Sequence, residues 1–335
     1  MKRAFQIVVA LPFLLHMQAA CAPVVMPAGA AVIESALAND SITTADGARL
    51  PLKSWLPATG HPKAVIIALH GFNDYSNFFN NAGSHFAKHG VASYAYDQRG
   101  FGGAPNRGVW PGEATLADDL RQASRVIANR HPGRPLFILG ESMGGAVAML
   151  AAAGSEPPIA DGLILAAPAV WGRASMPWYQ NVALWLAAHT VPQGRVSGLG
   201  LGIRASDNTP MLEALGRDPM VIKETRIDAV FGLVGLMDAA MAAAARLDRP
   251  TLVLWGKHDQ LIPEGVIREL WDHLPESTAK SSRAVFYHNG WHMLLRDLQA
   301  EIVYRDILSW LKQPAKPLPS GEGEDQPAAA QAERG

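Results

Sequence analysis

Short, mostly apolar runs alternate along this chain with segments whose apolar residues recur at helical spacing. The runs are Ala64 to Leu69, Val91 to Tyr96, Pro135 to Leu139, Gly162 to Ala166, Thr251 to Trp255 and Ala284 to Tyr287. Runs of this length with no polar alternation predict strands buried on both faces, as in a parallel sheet between two helical layers. Helices are expected at Ser76 to His89, Leu116 to Arg130, Gly145 to Leu150, Val266 to His273 and Asp297 to Leu311; in the second, Leu116, Leu120, Ala123 and Ile127 mark the apolar face. Ser41 to Thr44, the Asp46-Gly47 turn and Leu50 to Trp55 read as an opening hairpin. The fold class that follows is α/β, a doubly wound, mostly parallel sheet, spanning residues 41–312. Ala169 to Leu247 is too long for an ordinary crossover. It carries helix-like segments and large apolar residues, among them Trp171, Trp178 and Trp185, and reads as a helical cap inserted over the carboxyl edge of the sheet.

The two ends do not fit this pattern. Lys2 and Arg3 precede a short apolar stretch, Ile7 to Leu15, interrupted by Pro12 and too short to span a bilayer. Small residues follow at Ala19 and Ala20, so residues 1–30 read as an export leader and linker. The only cysteine, Cys21, sits where bacterial lipoproteins carry a lipid-modified cysteine, although Gln18 stands where those proteins usually have Leu. Two outcomes follow from the same residues: a lipid anchor on Cys21, or cleavage after Ala28-Gly29-Ala30 that discards it. The implied location is exported, either periplasmic or anchored to a membrane. Residues 313–335 are rich in Pro, Ala, Glu and Gly and are expected to be disordered. The composition, 49% hydrophobic and 18% charged with a net charge of −1, is that of an ordinary globular protein. Near-neutrality and the absence of a basic stripe argue against nucleic acid as a partner.

The candidate chemistry lies at the ends of predicted strands, where parallel sheets gather their ligand-binding loops. Gly140-Glu141-Ser142-Met143-Gly144, between a strand and a small-residue helix, has the form of a nucleophile elbow. A serine there needs a base, and the base needs an orienting acid, supplied in chain order by later loops. After the last strand, Gly290-Trp291-His292 offers His292 as base, with His288 the lesser candidate. After the preceding strand, Lys257-His258-Asp259 offers Asp259 as acid, with Glu264 its rival at a helix start. An oxyanion needs two converging amides. Those expected are Met143, next to the serine, and Phe72, in His70-Gly71-Phe72 after the first long strand. His70 is read as ordering that loop. Asp97 and Arg99 are read as a staple bonding backbone groups behind the site, and Glu141 as bonding a neighbouring loop. The chemistry needs no metal or organic cofactor. His288 and His292 stand at zinc-pair spacing, but no Glu follows His288 as in the zinc-protease helix.

These residues together resemble the serine hydrolases of the α/β-hydrolase fold, and among them the monoacylglycerol lipase and lysophospholipase group, which includes serine aminopeptidase S33-type domains. The resemblance covers Leu50 to Leu311. It rests on His70-Gly71-Phe72 with Asp74 and Ser76, Asp97 to Gly102, Gly140 to Gly145, Gly256 to Asp259, and Gly290-Trp291-His292. It implies Ser142 as nucleophile, Asp259 as acid and His292 as base. It also implies a carboxylic ester hydrolase acting on single-chain glycerides, lysophospholipids or related esters. Trp171, Trp178 and Trp185 of the cap are candidates to line an acyl-chain site. The alternative on the same scaffold is an aminopeptidase or amidase, which needs an acidic group for a substrate amine; Glu141, Glu213 and Glu224 are available.

Overall fold

The computed structural model describes residues 22–325 apart from 199 and 201. Cys21, the leader before it and residues 326–335 of the tail lie outside the described residues. The strands are β1 (Ala36–Leu37), β2 (Ser41–Thr43), β3 (Arg49–Trp55), β4 (Ala64–Leu69), β5 (Val91–Tyr96), β6 (Leu136–Glu141), β7 (Gly162–Ala166), β8 (Arg195–Val196), β9 (Thr225–Arg226), β10 (Thr251–Gly256), β11 (Arg283–Tyr287) and β12 (Gly323–Asp325). The helices are α1 (Asn80–Lys88), α2 (Glu113–Arg130), α3 (Met143–Ala152), α4 (Trp178–Thr190), α5 (Thr209–Arg217), α6 (Ile227–Ala243), α7 (Glu264–Asp272) and α8 (Ala300–Lys312).

One sheet runs in the order β1-β2-β3-β5-β4-β6-β7-β10-β11-β12. Its six central strands, β5 through β11 in that order, are parallel, and the edges are antiparallel. The two-residue period of a strand explains how apolar runs build two cores. In β4, Val65, Ile67 and Leu69 enter the core beneath α2, α3 and α7, whereas Ala64, Ile66 and Ala68 enter the one beneath α1 and α8. Leu136 and Ile138 of β6 face the first core, Phe137 and Leu139 the second. The sheet is thus covered on both faces, as the unalternating runs predict. All six parallel strands point their carboxyl ends to one edge.

Several boundaries differ from the sequence reading. Ser76 to Phe79 is a 3-10 turn before α1, because Asp97 Oδ1 accepts from the Ser76 amide at 2.9 Å and fixes that turn. Asp97 Oδ2 also accepts from the Gly103 amide, so Asp97 does bond backbone groups. Arg99 does not: its guanidinium donates to the Asp46, Asp119 and Thr44 side chains at 2.7–3.0 Å, tying the β2–β3 turn to α2. The last helix begins at Ala300 rather than Asp297, because the Asp297 carboxylate is committed elsewhere, as described below.

Both ends are more ordered than their composition suggests. Residues 22–30, read as linker, lie along the body: Val24 N donates to Asp228 Oδ2 at 3.2 Å and Met26 N to Trp110 O at 2.9 Å. The first part of the tail, read as disordered, also docks. Leu318 is 5% exposed within the core under α8, Ser320 N donates to Asp306 Oδ1 at 2.9 Å, and β12 pairs with β11. A buried leucine, an open strand edge and hydrogen bonds from Arg283, His288 and Ser320 hold a segment of otherwise polar, small residues. Leu318→Ala is therefore expected to lower stability by about 2 kcal/mol or more in urea unfolding. An unchanged unfolding midpoint would mean that the segment does not dock.

Candidate active site

Ser142 joins β6 to α3 with φ 53° and ψ −116°, in the left-handed half of backbone space that a β-carbon disfavours. The turn is held by Ser142 N donating to Ala166 O at 2.9 Å and by Ser142 O accepting from Gly145 N and Ala169 N, both at 2.9 Å. Its flanks must be glycine. A β-carbon on Gly140 would lie 2.3 Å from the Gly144 carbonyl, and one on Gly144 would lie 2.3 Å from Leu69 O. The half-buried Ser142 hydroxyl therefore stands at the strand-end edge, over the amino end of α3.

Asp259 follows β10 and His292 follows β11, strands adjacent in the sheet. The Asp259 Oδ1 atom accepts from the Leu261 and Ile262 amides at 2.7 and 3.0 Å, which leaves Oδ2 to accept from His292 Nδ1 at 2.8 Å. The Asp259 side chain is completely buried, and His292 nearly so. A ring whose Nδ1–H is given to a carboxylate presents Nε2 as a free base. Burial works against protonating this imidazole. The Asp259 charge and hydrogen bond, followed by the Glu141 charge, outweigh it, and the His292 pKa is raised above its ordinary value. Ser142 Oγ makes no hydrogen bond among the described residues.

The loop after β4 runs beside the serine: a β-carbon on Gly71 would sit 3.4 Å from Ser142 Cβ and 4.0 Å from Oγ. His70 sets its path. His70 Nε2 accepts from the Gln98 amide at 3.0 Å, so the proton lies on Nδ1, which donates to Gly71 O at 2.8 Å. Burial pushes the His70 pKa down and keeps this neutral tautomer. With the Gly71 carbonyl held by His70, the next amide, Phe72 N–H, donates to no backbone carbonyl among the described residues. The Phe72 ring is anchored edge-on to Phe101 at 5.5 Å. Met143 N–H, at the start of α3, is among the first four amides that have no acceptor within their helix.

A residue absent from the sequence reading ties these loops together. Arg296, four residues past His292, is buried and donates to Glu141 Oε1 and to Asp74 Oδ2, each at 2.7 Å. One guanidinium thus links the base loop, the elbow and the loop carrying Phe72. Burial raises the Glu141 pKa while Arg296 opposes the rise; Glu141 does bond a neighbouring loop, through Arg296. Asp297 makes a second tie. Its Oδ2 accepts from the Trp291 amide at 2.8 Å and its Oδ1 from Ser206 Oγ of the cap at 2.6 Å. Burial pushes its pKa up to about 7. Only the positions of Arg296 and Asp297, four and five residues past the candidate base, could have flagged them.

Other candidates fall elsewhere. His288 is exposed, His258 stacks on Trp291, and Glu264 pairs with Arg268 on the surface of α7. Trp171 packs partly buried against the core, its Nε1 donating to Ser175 O. Trp178 and Trp185 do not line an enclosed chamber: they are 75% and 53% exposed on the outer face of α4, because its inner face is occupied by α6.

Only neutral imidazole can accept a proton, so kcat/KM should rise with pH through the His292 pKa, which is elevated here. Removing the Glu141 charge removes one of the raising influences. Glu141→Gln should therefore move the acid limb of the profile to lower pH, as read from initial rates on a soluble ester. A limb that stays in place or moves up would show that Glu141 does not act on His292. Asp259→Asn should cost about 10³–10⁴-fold in kcat, since an amide can no longer hold the required tautomer.

Known proteins share this pattern. The family pattern of serine aminopeptidase, S33, matches residues 60–299. The chain is 25% identical over 292 residues to the monoacylglycerol lipase of Mycolicibacterium smegmatis, covering 84% of this chain and 99% of that protein. It is 26% identical over 278 residues to human monoglyceride lipase, covering 81% and 89% of the respective chains. Among solved structures, a soluble variant of Saccharomyces cerevisiae monoglyceride lipase in complex with a substrate analog superposes with a TM-score of 0.69. It has 20% identity and covers 88% of this chain and 99% of that one. With the match spanning most of the sheet and the whole cap, the chain belongs to the serine aminopeptidase S33 family of α/β hydrolases.

Proposed function

We propose that this α/β hydrolase cleaves monoacylglycerol-like or lysophospholipid-like esters through an acyl-enzyme on Ser142. The observation that carries the reading is the 2.8 Å hydrogen bond between His292 Nδ1 and Asp259 Oδ2, at the same sheet edge as the strained Ser142 turn. That the protein is a carboxylic ester hydrolase is supported by its relatives.

In this reading Ser142 Oγ attacks the acyl carbonyl as its proton passes to His292 Nε2. The Asp259 carboxylate stabilises the resulting imidazolium. The Met143 and Phe72 amides hold the tetrahedral oxyanion; such a donor is typically worth on the order of 10²–10³ in turnover. As the carbonyl re-forms, the ester C–O bond breaks and His292 returns the proton to the departing alcohol. A water molecule, deprotonated by the same imidazole, then attacks the acyl-serine. The carboxylic acid leaves and Ser142 regains its proton. Arg296 positions this machinery without touching the substrate.

An aminopeptidase reading has less support. It needs an uncompensated acidic group beside the acyl site. Glu141 is engaged by Arg296, Glu213 pairs with Arg217 on the surface of α5, and Glu224 is exposed on the cap. The test is a rate comparison on a monoacylglycerol and an aminoacyl anilide. The ester should be the better substrate, and Ser142→Ala should lower its turnover by at least about 10³-fold while the unfolding curve is unchanged. Equal ester turnover in Ser142→Ala would reject the acyl-enzyme, and a faster anilide would favour the peptidase.

A further inference from the structure

Phe72, whose amide is the expected second oxyanion donor, lies in a turn that the cap grips from one side. The Gly71 carbonyl accepts from Asp74 N at 3.2 Å, so Phe72 and Asn73 are the two central residues of a β-turn. Asn73 has φ 66° and Phe72 does not have a positive φ, which is the pattern of a type II turn. Such a turn uses the carbonyl of its first residue and the amide of its fourth. It leaves the amide of its second residue, Phe72, unspent. The turn also starts against the nucleophile, since a β-carbon on Gly71 would sit 4.0 Å from Ser142 Oγ.

Glycine would adopt the φ of Asn73 without cost. Asparagine does so less freely, and here its side chain is put to use. Asn73 Nδ2 donates to Thr225 Oγ1 at 2.6 Å, and Asn73 O accepts from Ile222 N at 2.9 Å. Both partners belong to the cap. Thr225 is buried at the start of β9 and pairs with Val196 of β8, and Ile222 packs against the larger core. Two residues beyond Asn73, Tyr75 OH donates to Asp218 Oδ2 of the cap at 2.7 Å. Asp74, between them, is held by Arg296. The chain leaving Phe72 is therefore fixed at three successive residues, two of them by the cap.

We infer that Asn73 is a positioning residue for the Phe72 amide, and that the cap, through Thr225 and Ile222, completes the oxyanion hole as well as covering it. A backbone amide stabilises an oxyanion only while it is aimed at the place where that charge develops. Freeing Asn73 from the cap lets the turn relax and spreads the aim of the amide. The loss falls on the tetrahedral species more than on the bound ester, whose carbonyl carries less charge, so it appears in kcat and not in KM. The inference rests on the acyl-enzyme reading of the site but not on which acyl compound is the substrate.

Asn73→Gly keeps the backbone conformation of the turn and removes its side-chain bond; Thr225→Val removes the same bond from the other side. Each should lower kcat on a soluble p-nitrophenyl acyl ester by about 3–10-fold while KM stays within about twofold, measured where circular dichroism shows the variant folded. The double variant should lose no more than either single one, because both remove one hydrogen bond. Asn73→Ala also strains the turn and should lose more, up to the factor on the order of 10²–10³ that a whole donor is worth. Thr225→Ser keeps the hydroxyl and should recover most of the loss. The acid limb of the pH profile should stay in place, because His292 is untouched. Phosphonylation of Ser142 by a fluorophosphonate develops the same negative oxygen, so its rate should fall by the same factors. A wrong substrate class would lower ester turnover in the unaltered protein and leave these phosphonylation ratios as they are. Unchanged kcat and phosphonylation in both single variants, or additive losses in the double variant, would overturn the inference. So would a rise in KM at constant kcat, because the cap would then hold substrate and not the oxyanion donor.

Discussion

The hydrogen bond between His292 and Asp259 is the interaction on which the proposed chemistry depends, and nearly every local feature of the sheet edge bears on it. Asp259 is buried, with one carboxylate oxygen fixed by two backbone amides, so its other oxygen has a single direction in which to act. That fixity decides which imidazole nitrogen carries the proton. A buried polar group without partners is costly. Here two amides and the imidazole supply them.

Four loops meet at the site, after β4, β6, β10 and β11, each from a different strand of the parallel sheet. The sheet brings them to one edge but does not set their spacing. Arg296 does this by placing a buried cation between Glu141 of the elbow and Asp74 of the loop carrying Phe72. Breaking such a pair leaves an uncompensated charge in the interior, which is why buried ion networks hold geometry more firmly than surface ones. Asp297 adds a tie from the base loop to the cap through Ser206, so cap position and base position are mechanically connected. The loops around the site are therefore tied to one another and to the cap.

What could be read from the sequence follows from the range of the forces involved. The strands were legible because burial on both faces leaves short, mostly apolar runs, unbroken in Ala64–Leu69 and interrupted in Val91–Tyr96 by Ser93 alone. The elbow was legible because two close backbone approaches exclude every side chain but hydrogen at Gly140 and Gly144. Arg296 was not, since a buried arginine looks like any surface cation until partners 155 and 222 residues away are known. Leu318 was missed for a related reason: one anchoring leucine cannot be distinguished in a segment whose average composition reads as disordered. The tryptophans of α4 misled because a large apolar residue signals burial against something, and the sequence does not say whether that something is substrate, core or another surface.

The most direct measurement of the central claim is covalent. A fluorophosphonate reacts with a serine only where a base draws off its proton and amides receive the developing oxyanion. After brief exposure of the protein, peptide mapping should place one adduct on Ser142, and His292→Ala should lose that adduct while keeping its fold by circular dichroism. Labelling at another serine, or undiminished labelling of Ser142 without His292, would contradict the activation of Ser142 by the His292–Asp259 pair.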